Sequence, residues 1–117
     1  MPTAKPNCLM TNDFDQLLSE NQLVLVDFFA TWCAPCKEIT PVLKEVKSML
    51  GDSIQIIEID VDLNKTLIER YAVRGVPMLV LFKNGEIVWK HYSLIGFKEV
   101  IQAISDFAGL VFDQKIG

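Results

Sequence analysis

Apolar residues fall along this chain in two rhythms. Leu23-Val24-Leu25-Val26-Asp27-Phe28-Phe29 is a nearly continuous apolar run. It reads as a strand buried on both faces, which suits the centre of a parallel sheet. Residues 54–61 give a second buried strand, interrupted by Glu58, and Met78-Leu79-Val80-Leu81-Phe82 a third. Between these runs the spacing changes to that of a helix. Ile39, Val42, Leu43, Val46 and Leu50 lie on one face, with Pro41 expected to kink the element and Gly51-Asp52 to end it. Residues 63–71 suggest a short helix, and Phe97, Val100, Ile101, Ile104, Phe107, Ala108 and Val111 trace a stripe on a last one. Upstream, Thr11-Asn12-Asp13 supplies capping side chains for a helix that gathers Phe14, Leu17 and Leu18 on one side. Asn84-Gly85 is a two-residue hairpin turn, so residues 86–92 should return antiparallel.

With a short strand placed in the loose lead-in of residues 1–10, the order becomes β-α-β-α-β-α-β-β-α. This predicts one α/β domain over residues 1–117, a mixed central sheet with helices on both faces. No linker, repeat or low-complexity tract divides it. The chain is too short for a full-size doubly wound nucleotide-binding fold and has no glycine-rich phosphate loop.

Composition narrows the function. At 117 residues, folding buries roughly 65% of the unfolded chain's surface, enough for a core without staples. A net charge of −4 with no Lys/Arg cluster argues against nucleic acid or an anionic membrane as partner. No apolar run approaches the ~18 residues of a spanning helix, and the first residues lack the apolar stretch of a signal peptide. Three cysteines are too few and too uneven for a disulfide scaffold. The expectation is a monomer in a reducing, cytoplasmic setting, where a close cysteine pair is catalytic or metal-binding.

That pair is Cys33 and Cys36, between the first buried strand and the helix after it. Pro35 suits a first helical turn, where its missing N–H costs little. Cys33 then lies at the helix N-terminus, near unpaired N–H groups and the positive dipole end, which stabilise a thiolate. A thiol of pKa ~8.5 is only about 3% ionised at neutral pH, so this placement bears directly on reactivity. Two intervening residues bring Cys36 round to face Cys33. Cys33 should be the outer sulfur and Cys36, inside the first turn, the shielded one. C-x-x-C is also half of a zinc site. Only Cys8 and His91 remain as soft ligands, neither in a paired knuckle, so no metal is expected.

Taken together, Val26-Asp27-Phe28, Ala30, Trp32-Cys33-x-Pro35-Cys36-Lys37, Pro41, Asp60-x-Asp62, Val73-x-Gly75-Val76-Pro77 and Phe82-Lys83-Asn84-Gly85 resemble the thioredoxin family. The likeness runs from about Asn12 to Phe112. It implies the thioredoxin fold, a five-stranded mixed sheet flanked by four helices. It also implies dithiol–disulfide exchange with protein disulfides, a disulfide reductase of the thioredoxin-reductase kind as electron donor, and no metal or bound cofactor; the alternatives are a dedicated oxidant or isomerase of an oxidising compartment and a redox-silent binding module. By the same resemblance, Cys33 is the attacking thiol, Cys36 the resolving thiol and the two form the redox disulfide. Trp32 is the aromatic beside the site and Pro77 a cis-proline against the pair, leaving the backbone of Val76 free for an extended substrate. Asp27 is either a strand-end acid reaching solvent or a buried carboxylate relaying the proton of Cys36. Lys37 is either an anion-stabilising cation or a plain surface lysine.

Departures from the family pattern point to altered potential or partner choice. Ala34 replaces the glycine usual between the cysteines, and Phe29 a frequent second tryptophan. Met78 replaces a threonine after the cis-proline, where substrate contact is expected. Ser93 replaces a glycine beside the substrate groove. Glu58 replaces a lysine near the buried aspartate, so either two carboxylates share a poorly solvated site or Glu58 points between helices into solvent. Cys8 reads as an incidental thiol, and His91 and Trp89 as residues at or near the surface of an edge strand.

Overall fold

The computed structural model describes residues 11–109. Its elements run α1 (Thr11–Glu20), β1 (Leu23–Phe29), α2 (Ala34–Leu50), a 3-10 turn (Gly51–Ser53), β2 (Gln55–Asp60), α3 (Lys65–Arg70), β3 (Met78–Lys83), β4 (Glu86–Tyr92) and α4 (Phe97–Ala108). The strands form one sheet in the order β2-β1-β3-β4. β1 runs parallel to β2 and antiparallel to β3, and β4 is antiparallel to β3. The described sheet has four strands where five were expected. The missing one was assigned to residues 1–10, which lie outside the described residues, as do Cys8 and Val111.

Alternation along β1 builds both halves of the core. Leu23 and Leu25 join Leu79 and Leu81 under α2 and α4, with Ile39, Leu43, Val46, Val100 and Ile104. Val24, Val26 and Phe28 join Val80, Phe82 and Met78 on the other face, against Phe14, Leu18 and Leu67 from α1 and α3. Each buried Leu or Ile adds roughly 1.5–3 kcal/mol relative to exposure. β2, expected to be buried, is only half so, because it ends the described sheet and has a neighbour on one side.

The elements end where local chemistry stops them. α2 continues through Pro41 and closes at Gly51, whose φ is 55°. Lys47 Nζ donates to the carbonyls of Gly51 (2.8 Å) and Ile54 (2.6 Å), tying the end of α2 to the start of β2. Asn84 and Gly85 both have positive φ (52° and 83°), as a primed hairpin turn demands. The ladder slips at Leu81/Phe82, a bulge that twists the edge strand β4. α3 is shorter than the apolar spacing suggested. Leu63 is exposed, and the turn before α3 is held instead by Asp60 Oδ1, which accepts from the Asp62 N–H at 2.8 Å, and by Asn64 Nδ2 donating to the Asp60 carbonyl at 2.9 Å. On α4 Val100, Ala103, Ile104 and Ala108 are buried, but Phe107, in the last turn at the same helical spacing, is exposed.

Phe14, Tyr71 and Phe82 form a ring of edge-to-face contacts at 5.5–5.8 Å, joining α1, the end of α3 and β3. Phe14→Ala should therefore cost about 3–5 kcal/mol of unfolding free energy, through lost burial and a cavity under α1. Urea unfolding followed by circular dichroism checks this. A loss below about 1 kcal/mol would mean that α1 collapses into the gap and the ring holds nothing.

Candidate active site

The site gathers at one end of the sheet, where three connections meet: β1–α2, α3–β3 and β4–α4. The first carries the cysteines. Ala30 accepts a bond from the Cys33 N–H (3.1 Å), closing the turn that leads into α2. Cys33 is the N-cap of α2 with extended backbone (φ −94°, ψ 106°), and Pro35 falls in the first turn. Cys33 Sγ accepts from the Cys36 N–H at 3.2 Å. The two sulfurs are joined as a disulfide, with Cα atoms 5.4 Å apart. A sulfur at this position meets both a backbone donor and the positive end of a 17-residue helix, so its anion is stabilised once the bond is reduced.

Exposure does not separate the two cysteines as expected. Cys33 is 4% exposed and Cys36 3%. Ala30, Phe29, Val61 and Val76 pack around both, which covers the outer sulfur as well as the inner one. Ala34 and Pro35 are exposed beside the pair.

The α3–β3 connection brings a cis Val76–Pro77 bond. Val76 packs against the cysteine cluster, and Pro77 is buried. Ser93, from the β4–α4 connection, donates its N–H to the Pro77 carbonyl at 3.2 Å and has a φ of 84°. That left-handed backbone is strained for serine and suits a glycine. Met78 does not face a substrate. Its side chain is wholly buried in the core beneath α1 and α3, because alternation along β3 turns it to the opposite face from Leu79.

Trp32 stands out at 69% exposed, and its Nε1 donates to Asp62 Oδ2 at 2.9 Å. Asp62 was not singled out as a site residue. Its only sequence signal is Asp60-x-Asp62, where the first aspartate shapes the turn and the second reaches the tryptophan. Trp32, Val61, Asp62, Ile68, Val73 and Val76 are among the residues around an open groove of about 420 Å3 next to the disulfide.

Asp27 is buried, not a strand-end acid in solvent. Alternation sets it on the α2 side of β1, as it does Leu23 and Leu25. A cavity of about 350 Å3 is lined by Asp27, Cys36, Lys37, Thr40 and Glu58, among others. Asp27 Oδ1 has no hydrogen-bond partner among the described residues. Burial, reinforced by the charge of Glu58, pushes the Asp27 carboxyl up to about 7. Glu58 is its register partner on β2 and is half-buried. Lys37 is exposed at the cavity mouth. The arrangement can hold a proton near Cys36 at neutral pH and release it to water through the cavity.

Away from this end, His91 stacks on Trp89 with ring centres 5.7 Å apart, and its Nε2 lies 3.3 Å from the Leu94 carbonyl oxygen. Among the described residues no group of three or more His, Cys, Asp or Glu is placed to hold a metal ion. No described helix is long and apolar enough to cross a membrane.

Comparison with known proteins agrees with this geometry. A family profile described as Thioredoxin matches residues 5–106. The chloroplastic thioredoxin Y of rice (Oryza sativa subsp. japonica) is 38% identical over 94 residues, covering 80% of this chain and 56% of the rice protein. The thioredoxin of Bacillus subtilis (strain 168) is 45% identical over 76 residues, covering 65% of this chain and 70% of that protein. Among solved structures, a mutant thioredoxin from Halobacterium salinarum NRC-1 matches with a TM-score of 0.79 and 35% identity, over 94% of this chain and 99% of the other. The chain thus spans little more than half the length of the rice relative.

The buried carboxyl makes stability depend on pH. In the unfolded chain Asp27 loses its proton near 3.8; in the folded chain it keeps it to about 7. Between those values the folded state binds more protons, so stability falls as pH rises and the whole loss is in place above 7. Its size is about 4 kcal/mol. Asp27→Asn should lack this fall and be the more stable protein at alkaline pH, as urea unfolding of both oxidised proteins across the range would record. A difference between the two that stays constant with pH would show that Asp27 titrates as in water. Glu58→Gln should lower the midpoint of the Asp27 carboxyl carbon followed by NMR; an unchanged midpoint would uncouple the two acids.

Proposed function

The chain belongs to the thioredoxin family, and we propose that it reduces protein disulfides by dithiol–disulfide exchange through Cys33 and Cys36. The observation that carries this reading is a cysteine pair bonded at a helix N-terminus, with a buried carboxyl, its Oδ1 without a hydrogen-bond partner among the described residues, lining the same cavity as the second cysteine. In the reduced protein the Cys33 thiolate attacks a substrate disulfide. One substrate sulfur leaves as a thiolate and takes a proton, and Cys33 holds the other in a mixed disulfide. Cys36 gives its proton to Asp27 and attacks Cys33 Sγ. The second substrate thiolate leaves, the Cys33–Cys36 disulfide forms, and two electrons have passed to the substrate. Asp27 then returns its proton to water past Glu58 and Lys37.

Trp32 and Val76 would contact the substrate, with Pro77 and Ser93 holding the loop between them in place. Pro35 would set the geometry of the first turn. Return of the disulfide to dithiol needs an external donor, which we take to be a disulfide reductase acting on the same face. That cycle requires a reducing compartment, for which the cytoplasm is our reading. Ala34 would tune the potential by restricting the backbone between the sulfurs, so Ala34→Gly should shift the potential modestly and keep turnover within about tenfold.

Insulin reduction in the presence of dithiothreitol tests the activity. Wild type should accelerate precipitation of the insulin chains, and the Cys33→Ser/Cys36→Ser variant should not. Cys36→Ser alone should trap a substrate on Cys33, visible as a mixed disulfide on non-reducing gels. Rates for wild type no greater than for the double variant would refute the reading, and trapping on Cys36 in Cys33→Ser instead would reverse the two roles.

A further inference from the structure

Beside the cis-proline loop the surface carries charge that the exchange chemistry does not use. After α3, Ala72 turns the chain with a φ of 52°, and the Val73 N–H bonds back to the Ile68 carbonyl at 3.0 Å. This helix-closing turn delivers Arg74 and Gly75 to the sheet immediately before Val76 and Pro77. On β4, Lys90 and Tyr92 are two residues apart and so share a face, in register with Val80 and Met78 of β3. Ala72, Arg74, Gly75, Lys90 and Tyr92 enclose an open notch of about 560 Å3. Its charged groups are two cations and no carboxylate. Among the described residues neither Arg74 nor Lys90 has an ion-pair or hydrogen-bond partner; the one ion pair found is Arg70 with Asp15.

This local excess stands against a chain whose formal net charge is −4. The neighbouring groove beside Trp32 shares Arg74 and Gly75 with the notch, but there Asp62 and Glu69 balance Lys65 and Arg74. The unbalanced positive charge is therefore confined to the far side of Gly75. A polypeptide lying on Val76 and reaching the disulfide with its cysteine would carry a neighbouring side chain over that notch, since one extended residue spans roughly 3.3 Å. Guanidinium, ammonium and the hydroxyl of Tyr92, itself 44% exposed, are all donors that a carboxylate can accept from.

We propose that this notch is an acidic subsite: it favours polypeptide substrates with an Asp or Glu close to the cysteine that Cys33 attacks. The proposal rests on the reductase reading above and adds the substrate class to it. Lys90 and Tyr92 supply the edge-strand side of the subsite and Arg74 the loop side, where its planar fork can take a carboxylate through two parallel bonds.

The test uses two disulfide-linked peptides identical except for Glu or Gln near the cysteine. Each is mixed with pre-reduced protein, and the single-turnover rate of peptide reduction is measured. The readout is the ratio of the two rates, so any general loss of activity cancels. In wild type the Glu peptide should react about threefold to tenfold faster at about 0.01 M salt, where charges are poorly screened. The ratio should approach unity at about 1 M salt, where the Debye length is roughly 3 Å. Arg74→Gln/Lys90→Gln should bring it to unity at low salt as well. Equal rates in wild type, or an undiminished preference in the double variant, would overturn the subsite while leaving the reductase reading intact. If wild type reduces neither peptide, that reading itself fails and the subsite goes with it.

Discussion

The site depends on one constraint: β1 is buried on both faces, yet it carries a carboxylate. Hydrogen bonds to β2 and β3 occupy both its edges, and α2 and α4 cover one face while α1 and α3 cover the other. A strand so enclosed has no polar position to offer. Asp27 must therefore enter the apolar layer, and its place in the alternation sends it towards α2. Burying an ionised carboxyl without partners costs several kcal/mol, so the group keeps its proton instead. The strength of the fold around β1 is what makes the acid available near neutral pH. A looser sheet would hydrate Asp27 and return it to an ordinary acid.

The cysteines depend on the same strand from its other end. β1 stops at Phe29, the chain turns at Ala30, and α2 begins at once, so the helix N-terminus sits over the end of the sheet. Cys33 takes the cap that a serine or aspartate usually fills, and its sulfur accepts the N–H that those oxygens would accept. The element that orients the sulfur is thus also the one that stabilises its anion. Two further connections close over the pair, and the Ser93–Pro77 bond ties them to each other. Rigid strands place all three loops, which is why a site made of loops can still be well defined.

How much of this was legible in the sequence depended on how strongly each residue's surroundings were fixed by its neighbours in the chain. β1 and β4 were readable to the residue, because an apolar run with clear ends and an Asn-Gly turn leave little choice. The cysteine pair, Trp32 and Pro77 were readable through the resemblance, and the structure brings them together. Met78 was misread because its position after the proline suggested the site, while its side chain obeys the alternation of β3. The shielding of Cys36 was readable from its place in the first turn, but the equal burial of Cys33 was not, since Val61 and Val76, which pack against the pair, are distant in sequence. Asp62 was missed for the same reason: its partner Trp32 lies thirty residues away. β2 looked fully buried because apolar composition alone does not tell a central strand from one at the end of the sheet.

Glu58 acts on this acid from the neighbouring strand. Register places it opposite Asp27 whatever its side chain, and both line the cavity that reaches Cys36. A lysine there would draw the proton off Asp27; a glutamate holds it on. The gain is a proton kept close to Cys36 at neutral pH and a more basic carboxylate, and the loss is a smaller ionised fraction ready to take the proton of Cys36. These effects oppose each other only if Asp27 is locked in one state. With a value close to neutrality, the carboxyl is populated in both states, so it can accept the proton in one half of the cycle and return it in the other. Lys37, itself exposed, lines the same cavity as Asp27, Cys36 and Glu58. A group tuned far from neutrality in either direction would serve one half of the cycle and obstruct the other.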